Sequence, residues 1–220
     1  MNEIAVFQLL HTIGFAYWLG VDLGVFYTSY FVANPKLSPE ARATAARILF
    51  ALDQGPRICM TLVLPLGIHL AWLYGIFGFD AIVMAVIWTV CIAWLAMVIT
   101  LHLANPSPRK TLLTRFDFIF RIAIAILLIA VGAFALTSSQ LRLPHWISWK
   151  LAIYGGLIAC GLVIRLKLKH FGPAMTRIIR GEADTTDNTT IASSLGSTRP
   201  YVILIWIGLI VSTALGLRLF

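Results

Sequence analysis

Apolar residues fall in six long runs, at about 4–32, 57–78, 81–104, 118–136, 146–166 and 201–219. Each is close to or above the roughly 20 residues that carry an α-helix across a bilayer. The first run is long enough to predict a tilted or protruding helix. Pro35 ends it. Ser38-Pro39-Glu40 then supplies a helix start, with proline at the first helical position and an acid in the first turn. The helix predicted from there, about 38–53, sets Ile48, Leu49 and Leu52 against Arg42 and Arg47, the pattern of an amphipathic helix on a membrane surface. Pro65 predicts a kink in the second span. The fifth run is able to continue as a cytoplasmic helix. The stretch at about 181–199 is rich in Thr, Ser and Asp and predicts a flexible cytoplasmic loop. No internal repeat is visible. The expected fold is all-α, a polytopic transmembrane helix bundle of about six spans forming a single domain over 1–220.

Composition supports this reading. Only 12% of residues are charged, against roughly 25% in soluble domains. The first apolar run has no basic segment before it and no small-residue cleavage site, so no removable signal peptide is expected. The net charge of +8 is clustered on one side of the predicted bundle. Lys36, Arg42, Arg47, Arg57, Arg109, Lys110, Arg115, Arg121, Arg165, Lys167, Lys169, Arg177, Arg180 and Arg199 all flank the loops after spans one, three and five. The opposite side has Arg142, Lys150 and Arg218. This asymmetry predicts that the basic side is cytoplasmic and that both termini are periplasmic, in a multi-pass protein of a bacterial inner membrane. It also turns the positive charge away from nucleic-acid binding. Cys59, Cys91 and Cys160 lie in or beside apolar runs without a CxxC pair, as small buried hydrophobes do.

Ionisable groups inside a bilayer are costly and need a partner or a purpose. His11 and His69 lie on antiparallel spans at similar depth, roughly 10–14 Å below the periplasmic surface at about 1.5 Å per residue. Lys150 begins span five on the same side, with His145 in the loop above it. Facing histidines on neighbouring helices hold haem or a transition metal in bundles. Each residue also has an ordinary reading, a histidine bonded to a backbone carbonyl or a lysine reaching the interface. Asp22, eleven residues after His11, shares its helix face. It is a candidate for proton handling or for an ion pair with Arg121. His102 and His170 sit at the cytoplasmic edge, where a second haem or a solvated role are the alternatives. Trp72, Tyr74, Trp146 and Trp149 fit an interfacial belt. Met60, Met84 and Met97 form no MxxM-type cluster for Cu(I).

Two segments carry a family resemblance. Trp146-Ile147-Ser148-Trp149-Lys150-Leu151 resembles the W-hydrophobic-x-x-K-L helix start of HemJ-type protoporphyrinogen oxidases and CopD-type copper-resistance membrane proteins. The stretch from His11 to Trp18-Leu19-Gly20 is similar to their first helix, where a histidine precedes W-x-G. The resemblance covers spans one, two and five. It implies a haem-associated site carried by His11 and Lys150. The R-x-x-N-E-x-P ending of HemJ-type proteins is absent, with only Arg199-Pro200 in its place, and those proteins have fewer spans. The protoporphyrinogen oxidase reaction itself is therefore not implied.

These readings converge on a b-type haem protein with a periplasm-side site of His11, His69 and Lys150, working in electron transfer or oxidation. It would be either a haem-dependent oxidoreductase or its electron-transfer subunit. Its partners would be the lipid bilayer and a redox protein or a small lipophilic substrate. One alternative is a CopD-like transport component, with copper or another metal on His11 and His69. Another is a non-catalytic membrane anchor subunit.

Overall fold

The computed structural model describes residues 2–138, 140–141 and 143–219. Among them the regular structure is all helical: α1 (Glu3–Ala33), α2 (Pro39–Leu52), α3 (Gln54–Leu73), α4 (Ala81–Leu103), α5 (Pro108–Thr137), α6 (His145–Lys167), a 3₁₀ turn (Leu168–His170), α7 (Phe171–Arg180) and α8 (Thr185–Gly216). Six helical stretches are long and apolar enough to cross a membrane. Arg142, one of the few basic residues on its predicted side, lies outside the described residues.

The local signal acts as expected at the α2 start, and the same arrangement opens α5 ten residues before the predicted span. Ser38 Oγ accepts from the Ala41 amide ahead of Pro39, and Ser107 Oγ accepts from the Lys110 amide ahead of Pro108. Pro65 sits inside α3. Asp53 separates α2 from α3 and accepts from Arg57 Nε at 2.7 Å.

The spanning helices close into a ring in the order α1, α3, α4, α5, α6, α8 and back to α1. Its centre is an apolar core that includes Trp18, Cys59, Met60, Trp94, Leu128, Leu157, Ile158 and Leu209. Lipid is as apolar as this core, so close backbone approach has to supply the packing. α5 and α6 show it: a Cβ on Gly132 would stand 2.6 Å from the Ser148 carbonyl oxygen, and one on Gly155 would stand 2.7 Å from that of Ala125. All three cysteines are free.

A second apolar cluster lies where α1 ends and α8 begins. Val32, Ala45, Ala46, Leu49, Phe171, Ala174, Met175, Ile178, Ile191 and Leu195 join α1, α2, α7 and the start of α8. Two expectations change here. Residues 185–199 are not loop but the first turns of α8, and the turn is confined to 181–184. Asp187 holds them in place by pairing with Arg177 and accepting from the Asp184 amide, while Ile191 and Leu195 enter the cluster. Arg42, expected on a polar face, is buried: its Nε donates to the Val32 carbonyl at 2.9 Å and its Nη1 to Asn188 Oδ1 at 2.8 Å. Part of the α2 surface thus faces protein instead of lipid headgroups.

Candidate functional site

The start of α1 and the end of α8 lie at one end of the ring, here the terminal end. There the neighbouring helices α1, α3, α6 and α8 enclose a cavity of about 250 Å³. Polar atoms reach it from three helices. Gln8, His11 and Thr12 come from α1, Lys150 and Tyr154 from α6, and Ser212 and Thr213 from α8. The rest of the lining is mostly apolar, including Phe15, Leu64, Ile68 and Leu209. No aspartate or glutamate lines it among the described residues.

Helix periodicity brings these groups together. Gln8, His11, Thr12 and Phe15 follow the i, i+3, i+4, i+7 spacing of one helix face, and Lys150 and Tyr154 are one turn apart. α3 makes room for the histidine at Gly67, where a Cβ would come 2.8 Å from His11 Cε1. His11 Nδ1 and Ser212 Oγ are buried without hydrogen-bond partners among the described residues. A buried polar atom left unpaired is costly, and such atoms mark sites that a ligand or water satisfies. Tyr154 donates its hydroxyl to the Met60 carbonyl at 2.6 Å and meets Trp18 edge-on at 6.0 Å. The tyrosine thereby ties α6 to α3 below the cavity.

The structure places Lys150 with His11 but gives His69 different surroundings. His69 does not line the cavity. Its ring stacks on Phe7 at 4.0 Å, and its Nδ1 accepts from Trp88 Nε1 at 2.9 Å. Its Nε2 lies 3.8 Å from Glu3 Oε1. The donated hydrogen bond fixes the neutral ring with its proton on Nε2. Nδ1 is thus occupied, while Nε2 is buried without a hydrogen-bond partner among the described residues, 3.8 Å from Glu3, so the two histidines stand in different surroundings. The equal depth inferred from the sequence is a statement about height along the helices, and two residues at one height can face different neighbours.

Asp22 and Arg121 also have other partners. Asp22 Oδ2 accepts from Trp206 Nε1 at 2.9 Å, which links α1 to α8. Arg121 Nε donates to both carboxylate oxygens of Asp117 at 3.0 Å. Asp117 also accepts from Arg165 Nη1 at 2.6 Å and is fully buried. The i, i+4 spacing of Asp117 and Arg121 was available in the sequence. Starting the fourth span at 118 left Asp117 outside it. His102, His145 and His170 are exposed. Among the described residues, no three His, Cys, Asp or Glu side chains are grouped to hold a metal ion.

Comparison with family models, curated proteins and solved structures finds no match.

Proposed function

We propose that this chain is a multi-pass protein of a bacterial inner membrane that holds an amphipathic redox group, haem b as first candidate, in the His11–Lys150 cavity. Its work would be electron transfer or oxidation. The observation that carries the reading is a buried imidazole with an unpaired Nδ1 in the same cavity as an ammonium group. In that donor set His11 would hold the metal of the group and Lys150 would meet its acidic edge. Bound there, such a group would supply one-electron transfer or oxidation chemistry. The cavity is smaller than the roughly 300–1,000 Å³ that buries a drug-sized ligand, so a group as large as haem would be only partly enclosed.

In this reading His11 binds, Gly67 leaves space for its ring, and Lys150 orients the acidic edge. Tyr154 closes the floor and keeps the cavity shut on that side. The clustering of basic residues on the opposite side supports a periplasmic setting for the cavity. A copper site on His11 and His69 draws less support, because the two rings do not share a cavity. The test is the visible spectrum and metal content of the purified protein. A Soret band with sharp reduced α and β bands supports the proposal. A colourless protein that co-purifies with copper overturns it in favour of metal transport. A colourless, metal-free one favours an anchor subunit.

A further inference from the structure

Where the cavity meets the terminal end of the bundle, two cations share one indole. Lys150 Nζ stands 5.8 Å from the centroid of the Trp146 ring, and Arg218 Cζ stands 5.8 Å from the same centroid. Among the described residues neither cation has a hydrogen bond or salt bridge to a carboxylate. The cavity lining offers no acid to offset this positive charge, so the site as it stands favours an anionic group.

Arg218 is held there by an unusual helix end. α8 closes with the Leu219 amide donating to the Ala214 carbonyl and the Arg218 amide to that of Leu215. This is a Schellman ending, and Arg218 occupies its left-handed position with φ of 55°. Glycine or asparagine normally fills that position, because a larger side chain is strained there. An arginine at this point costs stability and places a guanidinium over Trp146.

The exposed residues of the lining point to an opening between α1 and α8. Three side-chain contacts between these helices, Asp22 with Trp206, Phe26 with Trp206 and Arg199 with Tyr30, lie towards the other end. Nearer the terminal end, exposed Gln8 and Thr12 on α1 face the cavity, as do exposed Gly216 and Leu217 at the end of α8.

We propose that Lys150 and Arg218, arranged about Trp146, read the acidic head of an amphiphile whose apolar body enters the cavity between α1 and α8. This rests on the cavity being the binding site and adds the class of ligand, an acid in place of a neutral lipid or a cation. The test uses the full chain in phosphatidylcholine nanodiscs. It is titrated with haem and haem dimethyl ester, and with dansyl-undecanoic acid and its methyl ester. The acid should bind about tenfold tighter than the ester or better, as a charge-assisted contact implies. Lys150→Gln and Arg218→Gly should each shrink that ratio. Arg218→Gly puts glycine where the backbone favours it, so its Tm should hold or rise, which separates lost recognition from lost folding. Equal binding of acid and ester overturns the proposal, as does an unchanged ratio in both variants or binding of neither acid. If only the dansyl acid shows the pattern, haem falls and the acid-reading site stands. A ratio lost only when phosphatidylglycerol is added identifies the acid as a lipid headgroup and keeps the role of the two cations.

Discussion

Single residues divide by whether the sequence shows their partner. His11 and Lys150 were legible because a charged or imidazole group in an apolar run is itself a signal. Tyr154, Ser212 and Thr213 were not, because hydroxyls are common in spanning helices and only their convergence on one cavity marks them. Asp22 was legible as a buried acid, but its donor, Trp206, is far away in the sequence and carries no charge to suggest it. This gives Asp22 and Asp117 different weights. Asp117→Asn removes the charge shared by Arg121 and Arg165 and should cost about 3–5 kcal/mol. Asp22→Asn keeps an oxygen for Trp206 to donate to and should cost about 1 kcal/mol. Thermal unfolding in detergent measures both. Asp22→Asn and Arg121→Gln should add within about 0.5 kcal/mol, whereas Asp117→Asn and Arg121→Gln should not. Strong coupling between Asp22 and Arg121 would contradict the partners assigned here.

At the level of elements, the apolar runs predicted the spans, and their ends moved for identifiable reasons. α5 begins at Pro108 instead of 118, because its first turns are polar yet capped by Ser107. α8 begins at Thr185 instead of 201, because Thr, Ser and Asp suggest loop by composition while tertiary partners hold them helical. Ile191 and Leu195 were the only apolar hints, and their four-residue spacing is that of a helix face. The Asp187–Arg177 pair is the tie that this account makes responsible. Asp187→Ala should raise the rate of proteolytic cleavage within 181–199 by about tenfold, through local opening, and leave the spanning helices protected. Cleavage at the wild-type rate would show that the apolar cluster alone holds the segment.

For the whole molecule, six spans in an all-α bundle follow from hydropathy, and the ring order does not, because any spanning helix is apolar enough to sit beside any other. The ring matters for the site, since it puts α1, α3, α6 and α8 around one cavity. Sidedness is a separate question of charge. A reporter active in the cytoplasm should give signal when fused in the turn at 181–184, and one active in the periplasm when fused after the C-terminus. The reverse pattern would turn the cavity to the cytoplasm. The central claim is that His11, and not His69, is the ligating histidine of the cavity. The most direct measurement is the haem content of purified wild type, His11→Ala and His69→Ala from the reduced-minus-oxidised spectrum. The account predicts haem in wild type and in His69→Ala, and its loss in His11→Ala. Full haem in His11→Ala, or none in wild type, would contradict it.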